Sequence, residues 1–267
     1  MKKLSVFAIA IAAVIFAACT GNKKNVQEQV TETEKSFEQE QIEASIKMHI
    51  DSIAADLGKL KQLPFVQEDN GGLTLTKEEK QVKPDYLLDP SVAQEATTLA
   101  EKYRIISALN VDKKIAALYE MPTEEYDKAI SKLAADINDP SFKLLDDANS
   151  VFETTTALYD SMNENGRINQ FWQIASAALV EQLYIVNQNS DKFLSVFNDE
   201  AASNVSYRII LILDAVDRLA NYDPEIKPIA EALAPLKTLN ATTLDELKSQ
   251  LADAKDNINA ARKALVK

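Results

Sequence analysis

The residue types that most often carry enzyme chemistry are scarce in this sequence. It contains one histidine, His49, and one cysteine, Cys19. A single imidazole cannot supply a His-Glu-x-x-His zinc site or the paired Glu-x-x-His ligands of a di-iron bundle. The sequence also lacks Ser-x-x-Lys and Gly-x-Ser-x-Gly, and nothing marks triad partners for His49. We therefore predict no catalytic residue and no metal ligand.

The acidic residues and glycines do not form a recognisable ligand site either. The 41 acidic side chains include enough carboxylates for glycoside hydrolysis, but no pair stands out by its spacing. Gly71-Gly72 is not followed by Lys-Ser or Lys-Thr, so the sequence does not predict nucleotide binding or another cofactor. Glu68-Asp69-Asn70 lacks the alternating oxygen ligands of a Ca²⁺ loop and indicates a turn.

Two segments carry aromatic side chains that are candidates for ligand binding. Phe171 and Trp172 begin an apolar stripe at helical spacing, which is typical of a core and less often of a binding platform. Residues 83–90, which include Tyr86, contain two prolines that favour an extended conformation. We expect this segment to pack as a strap over the helices, and a binding role is the alternative.

The N-terminus has the pattern of an export signal. Lys2 and Lys3 precede an apolar run over 4–18, which is shorter than the roughly 20 residues that span a bilayer. The following Phe16-Ala17-Ala18-Cys19 resembles the lipobox of bacterial lipoproteins. This resemblance implies cleavage before Cys19 and attachment of lipid to its thiol. The absence of a second cysteine also favours an anchor over a disulfide.

The precursor is similar in style to lipoproteins of Bacteroidota, and the resemblance has implications for its location. Surface-exported members carry an acidic cluster directly after the lipidated cysteine, whereas Lys23 and Lys24 follow here and the first acidic residue is Glu28. Thr20 differs from the aspartate that retains enterobacterial lipoproteins in the inner membrane. The resemblance therefore implies an outer-membrane anchor with the body facing the periplasm.

Two serines lie in short patterns that resemble O-glycosylation acceptors of the same phylum. Asp51-Ser52-Ile53 and Asp160-Ser161-Met162 both match Asp-Ser-apolar. Both lie inside predicted helices, so unmodified Ser52 and Ser161 are the alternative.

The net charge limits the classes of partner. The whole chain carries −12, and removal of residues 1–18 takes away two lysines and no acidic residue, which leaves −14. Nucleic acids and anionic headgroups attract Lys and Arg, so we expect no nucleic-acid partner. We expect the membrane to be contacted through the N-terminal lipid, with a protein of the cell envelope as a further partner.

The composition favours an all-α multi-helix bundle, because glycine is limited to five residues and helix formers are abundant. A polar tether over 19–31 precedes a helical domain over 32–267. A segment at about 64–89 is expected to be irregular or to contain a hairpin, since Asn70-Gly71 favours a type I′ turn. We predict helices over about 34–63, 89–108, 112–119, 123–137, 142–163, 168–187 and 199–221, one opened by Asp223-Pro224 and a last one by Thr243.

The apolar run Ile209–Leu213 predicts a helix at the centre of the bundle. Its side chains are apolar on every face, so other helices must cover it on all sides. We therefore expect Ile210→Ala and Leu213→Ala each to cost about 2–5 kcal/mol of stability.

A short internal repeat raises the alternative of two related halves, 32–140 and 141–267. Tyr103-Arg104-Ile105-Ile106 recurs as Tyr207-Arg208-Ile209-Ile210, and Val111-Asp112 is followed later by Val216-Asp217. A solenoid would need three or more such units, so it is not predicted.

Together these patterns predict a membrane-anchored envelope lipoprotein that acts as a non-enzymatic binding or scaffold module. An envelope hydrolase with a carboxylate pair and a module that captures a glycan or peptide are the alternatives. Burial of Trp172 and Tyr86 would argue against capture. A cavity with two facing carboxylates and a raised pKa would favour the hydrolase.

Overall fold

The described part of the chain is built from helices. A computed structural model describes residues 37–61, 63–67, 69–142 and 155–266, and within these ranges there is no β-strand. The predicted all-α multi-helix bundle is confirmed. The α-helices of the described residues are α1 (Phe37–Lys59), α2 (Lys77–Gln81), α3 (Leu99–Leu118), α4 (Glu124–Ile137), α5 (Thr155–Glu164), α6 (Ile168–Gln188), α7 (Ser190–Phe193), α8 (Asp199–Leu219), α9 (Lys227–Leu233), α10 (Leu244–Asp253) and α11 (Lys255–Leu265).

The helix α6 is the centre of the bundle. It packs against α3, α5, α8, α10 and α11, and most of its side chains are buried. Its bounds agree with the predicted 168–187 to within one residue. Because several helices enclose α6, polar residues such as Glu181 are buried on it together with the apolar ones. A buried charge of this kind requires a partner.

The helix α8 is less enclosed than the sequence predicts. It packs against α1, α6, α9 and α10, and Ile209, Ile212 and Leu213 are buried. Ile210, however, is 49% exposed. The prediction of a helix covered on every face is therefore wrong at Ile210, because the neighbouring helices leave one stripe of α8 open to solvent.

The segment at about 64–89 is irregular apart from the short helix α2, and its described residues do not form the hairpin that Asn70-Gly71 suggested. Two 3-10 turns, Pro64–Val66 and Asn70–Gly72, lie here. Asn70, Gly71 and Gly72 all have positive φ, and the Asp69 carboxylate accepts a hydrogen bond from Gly71 N. The apolar residues on either side of the turn are buried in the helical core, so they are not available to pair as strands.

The helix α3 begins later and continues further than predicted. Asp89 caps only a 3-10 segment, Pro90–Gln94. The α-helix begins after Thr98, whose hydroxyl accepts from Glu101 N while the Glu101 carboxylate accepts from Thr98 N. This capping box overrides the proline signal. The predicted helices over 89–108 and 112–119 are therefore replaced by the continuous helix α3, Leu99–Leu118.

Beyond residue 142, the structure agrees with the sequence at Gly166 and Thr243 but not at every predicted helix start. Residues 143–154 of the predicted helix 142–163 lie outside the described residues, and Gly166 has the positive φ expected of a residue that ends a helix. Asp223-Pro224 does not open α9, which begins at Lys227. Thr243 caps α10 as predicted, but Ala254 divides the last helix into α10 and α11.

Candidate functional site

The residues that the sequence singled out are not brought together in one place. Cys19, the predicted signal peptide over 1–18 and the predicted tether over 19–31 lie outside the described residues. His49 is exposed on α1, where its Nε2 lies 3.0 Å from Asp214 Oδ2 on α8. Ser52 is exposed on α1, whereas the partly covered Ser161 donates to Ser141 Oγ at 3.0 Å.

The aromatic pair on α6 belongs to the core. Phe171 and Trp172 are buried, and their rings meet edge to face with 5.0 Å between centroids. Tyr159 of α5 completes this aromatic cluster, with its ring centroid 5.1 Å from that of Phe171. Tyr86 is partly covered. Trp172 is therefore inaccessible to a ligand, whereas Tyr86 keeps part of its surface exposed.

Residues 83–90 form a strap that is fastened to the bundle by hydrogen bonds at several points. Lys83 Nζ donates to Tyr119 O at 2.5 Å, and Tyr126 Oη donates to Leu88 O at 2.9 Å. Leu88 N donates to Asp112 Oδ2 at 2.7 Å. The strap therefore closes over a buried carboxylate of α3, which agrees with the packing role expected for this segment.

Beneath the strap lies a carboxylate cluster that comprises Asp112 of α3, Glu181 of α6 and Arg262 of α11. Arg262 Nε donates to Glu181 Oε2 at 2.8 Å, and its Nη2 donates to Glu181 Oε1 at 2.7 Å. The guanidinium carbon also lies 3.8 Å from the centroid of the Tyr184 ring. This bidentate pair with a stacked ring is among the stronger arrangements available to an arginine.

The two carboxylates of the cluster titrate differently. Burial and the charge of Glu181 raise the pKa of Asp112 well above its ordinary range. Burial also raises the pKa of Glu181, but Arg262 opposes this effect. We therefore assign a proton to Asp112 at neutral pH and treat Glu181 as the ionised partner of Arg262, since two buried carboxylates in contact do not both ionise.

The two carboxylates of the cluster are closed to solvent. Asp112 and Glu181 are both completely buried. The surface cleft next to it, with a volume of about 320 Å³, is lined by Tyr184, Arg262 and Lys255 but not by the carboxylates. A substrate in that cleft would meet the cation and the ring, and it would not reach the acid pair.

An open groove lies on another face of the bundle, between the N-terminal part of α1, the start of α6 and the end of α8. Its volume is about 560 Å³. The apolar lining comes from Ile46 and Ile50 of α1, Ile168 of α6 and Leu219 of α8, with Tyr222 beyond them. We call this the α1–α6–α8 groove.

Charged side chains also line the α1–α6–α8 groove. Glu40, Glu43 and Lys47 lie along the same helix, α1, and contribute to its walls. Tyr222 is 49% exposed, so its ring is accessible to a bound partner. The groove thus combines an apolar base with a net negative side, an arrangement that suits a ligand with apolar and basic groups.

The sequence did not indicate either of these sites. Asp112, Glu181 and Arg262 lie on three separate helices, and no local spacing connects them. The recurrence of Val-Asp after the tetrapeptide repeat drew attention to Asp112 but did not predict its burial. The groove forms where parts of three helices meet. Helical periodicity in the sequence does not determine which helices come together.

Among the described residues, no group of three or more His, Cys, Asp or Glu side chains is arranged to hold a metal ion. No described helix is both long and apolar enough to cross a membrane. Comparison of the chain with known protein families, curated proteins and solved structures gives no match. The sequence and the geometry of this chain are therefore the basis for a proposed function.

Proposed function

We propose that this protein is a lipid-anchored cell-envelope protein whose helical body binds a partner protein without catalysing a reaction. The observation that carries the proposal is the contrast between the two sites. The group with unusual acid–base properties, Asp112 with Glu181, is sealed in the interior, whereas the accessible α1–α6–α8 groove has the lining of a binding surface. A hydrolase requires a carboxylate that reaches its substrate.

The lining of the groove suggests the chemistry of the partner. An apolar base between Ile46, Ile50 and Leu219 favours an apolar side chain as the anchor. Glu40 and Glu43 at the groove, together with the net charge of −12 on the chain, favour basic residues beside that anchor. We therefore propose a peptide segment of an envelope protein, with an apolar anchor flanked by lysine or arginine.

Site-specific cross-linking tests the groove. A photoreactive amino acid at Tyr222 should cross-link a defined envelope protein, and the same substitution at Tyr207 should not. Both tyrosines are exposed, at 49% and 43%, but only Tyr222 is part of the groove lining. Glu40→Lys should abolish the cross-link, and Glu231→Lys on the exposed surface of α9 should leave it unchanged. Equal cross-linking from both tyrosines would contradict the assignment.

Mass spectrometry and fractionation test the anchor. The mature protein should begin at a lipid-modified Cys19 and remain in the membrane fraction, because the export pattern ends at this residue. Cys19→Ser should release the body into the soluble fraction. An unmodified thiol in the native protein, or membrane association that is unchanged by the substitution, would refute this part of the proposal.

Protease treatment of intact cells tests the proposed location on the periplasmic side of the outer membrane. The helical body should resist digestion until the outer membrane is permeabilised. A periplasmic protein that is digested in parallel under the same conditions serves as the control. Digestion in intact cells would instead place the body on the cell surface.

A further inference from the structure

Arg208 of α8 is a second buried charge, and no carboxylate among the described residues pairs with it as Glu181 pairs with Arg262. Arg208 is 8% exposed. Its Nη2 donates to Lys61 O, just beyond the end of α1, at 2.8 Å. Its Nε is buried and makes no hydrogen bond to any described residue. No carboxylate among the described residues forms an ion pair with it.

The described residues leave most of the charge of Arg208 uncompensated. Burial lowers the pKa of the guanidinium to about 10, so it remains protonated at neutral pH. Lys61 O contributes only the partial negative charge of a single carbonyl. A full cation in an apolar interior nevertheless needs a full anion nearby, or it costs several kcal/mol.

A small cavity lies next to Arg208 and provides space for such an anion. Its volume is about 30 Å³, and it lies between α1, α5, α6 and α8. Gln182 and Thr155 contribute polar lining together with Arg208, while Leu57 and Ile212 are among the apolar residues around them. Since roughly 10–15 Å³ of such space holds one water molecule, the cavity accommodates one or two atoms of that size.

We infer that this cavity is a binding site for a single small inorganic anion of halide size, held by the Arg208 guanidinium. A volume of about 30 Å³ suits a monatomic anion better than a phosphate or the carboxylate of a larger ligand. An anion there neutralises the buried cation and accepts the free Nε hydrogen. Because the site joins α1 to α5, α6 and α8, its occupation stabilises the packing of all four helices.

Anomalous diffraction from crystals of the protein in bromide tests the site directly. A bromide peak should lie in the cavity within hydrogen-bond distance of Arg208 Nε. An ordered water there in place of bromide would overturn the inference, as would an empty cavity. Either result would show that Arg208 is accommodated without a bound anion.

Thermal unfolding provides a second measurement, at equal ionic strength in chloride, bromide and gluconate. The wild-type Tm should be higher in the halides by roughly 2–4 °C, since ligand binding to the folded state stabilises it. Arg208→Met should remove this difference. Arg104→Met is the matched control, because Arg104 is tied to Leu265 O and Gln173 Oε1, and it should retain the halide effect. A wild-type Tm that is the same in all three salts would contradict a halide site.

Discussion

The tetrapeptide Tyr-Arg-Ile-Ile occurs in both α3 and α8, and the two copies have opposite environments. In α3, Tyr103 and Ile106 are completely covered, whereas in α8 Tyr207 and Ile210 are 43% and 49% exposed. The third position, Ile105 or Ile209, is buried in both helices. Identical local sequence therefore fixes the helix and one buried position, but not how much of the helix is covered.

The difference follows from the neighbours of each helix. The helix α3 packs against α4, α6 and the strap-adjacent 3-10 segment Pro90–Gln94, and buried residues occur around most of its circumference. The helix α8 packs on α1 and α6 but leaves the stripe with Tyr207 and Ile210 open. Because neighbouring elements enclose α3, the polar side chains of the tetrapeptide in α3 need hydrogen-bond partners inside the protein.

Alanine substitution at the fourth position should show the largest contrast. Ile106→Ala removes a buried side chain and leaves a cavity, so we expect a loss of about 2–5 kcal/mol. The matched Ile210→Ala should change stability by less than about 0.5 kcal/mol, because the side chain is half exposed. Urea unfolding of both variants measures this contrast. Equal losses would show that Ile210 is covered in solution.

Much of the fold follows from the sequence because long periodic segments with clear ends determine helices independently of context. The bounds of α4 and α6 agree with the predictions to within one residue. Where two signals competed, as at Asp89-Pro90 and Thr98, the complete capping box determined where the helix starts. The exposure of Ile210 was not predictable, since it depends on helices that are distant in the sequence.

The tyrosines of the two copies should show an intermediate contrast. Tyr103 Oη donates to Asp139 Oδ2, and Arg167 Nη1 donates to Tyr103 Oη at 2.9 Å. Tyr103→Phe leaves a buried carboxylate with one donor fewer, so we expect a loss of about 1–3 kcal/mol. Tyr207→Phe should have almost no effect because solvent replaces any lost hydrogen bond. Chemical denaturation decides between these outcomes, and a neutral Tyr103→Phe would show that this network contributes little.

The candidate sites were less predictable than the helices because their geometry is non-local. Arg262 and Glu181 are 81 positions apart, and their contact requires α6 and α11 to pack correctly. Arg104 and Arg208 occupy the same position in the two copies of the tetrapeptide. Of these two arginines, Arg208 is the one that lies beside a cavity. Its Nε makes no hydrogen bond to a described residue, whereas Arg104 Nε donates to Leu265 O. Burial of a charged residue is thus a property of the assembled bundle, and local spacing gives no signal for it.

The aspartates that follow the two copies should show a contrast of a different kind, which is a change in the pH dependence of stability. Asp112 is buried with a raised pKa, whereas Asp217 is partly exposed and lies 2.7 Å from Lys237 Nζ. Between the ordinary pKa of an aspartate and the raised folded value, the folded protein binds a proton that the unfolded chain has released. Stability due to this group therefore falls as pH rises, by at most about 1.4 kcal/mol per pH unit.

Replacement of Asp112 by asparagine should remove this slope and keep the contacts of the strap. The new amide oxygen can still accept from Leu88 N, and the amide NH₂ can donate to Glu181 as the protonated acid does. Asp112→Asn should therefore gain stability relative to wild type as pH rises from about 5 to 8. Asp217→Asn should change stability by less than about 1 kcal/mol across the same range, because exposed ion pairs contribute little. Thermal unfolding at several pH values measures both variants. A loss in Asp112→Asn that is constant with pH would mean that Asp112 does not hold a proton that the unfolded chain has released, which would contradict the protonated Asp112.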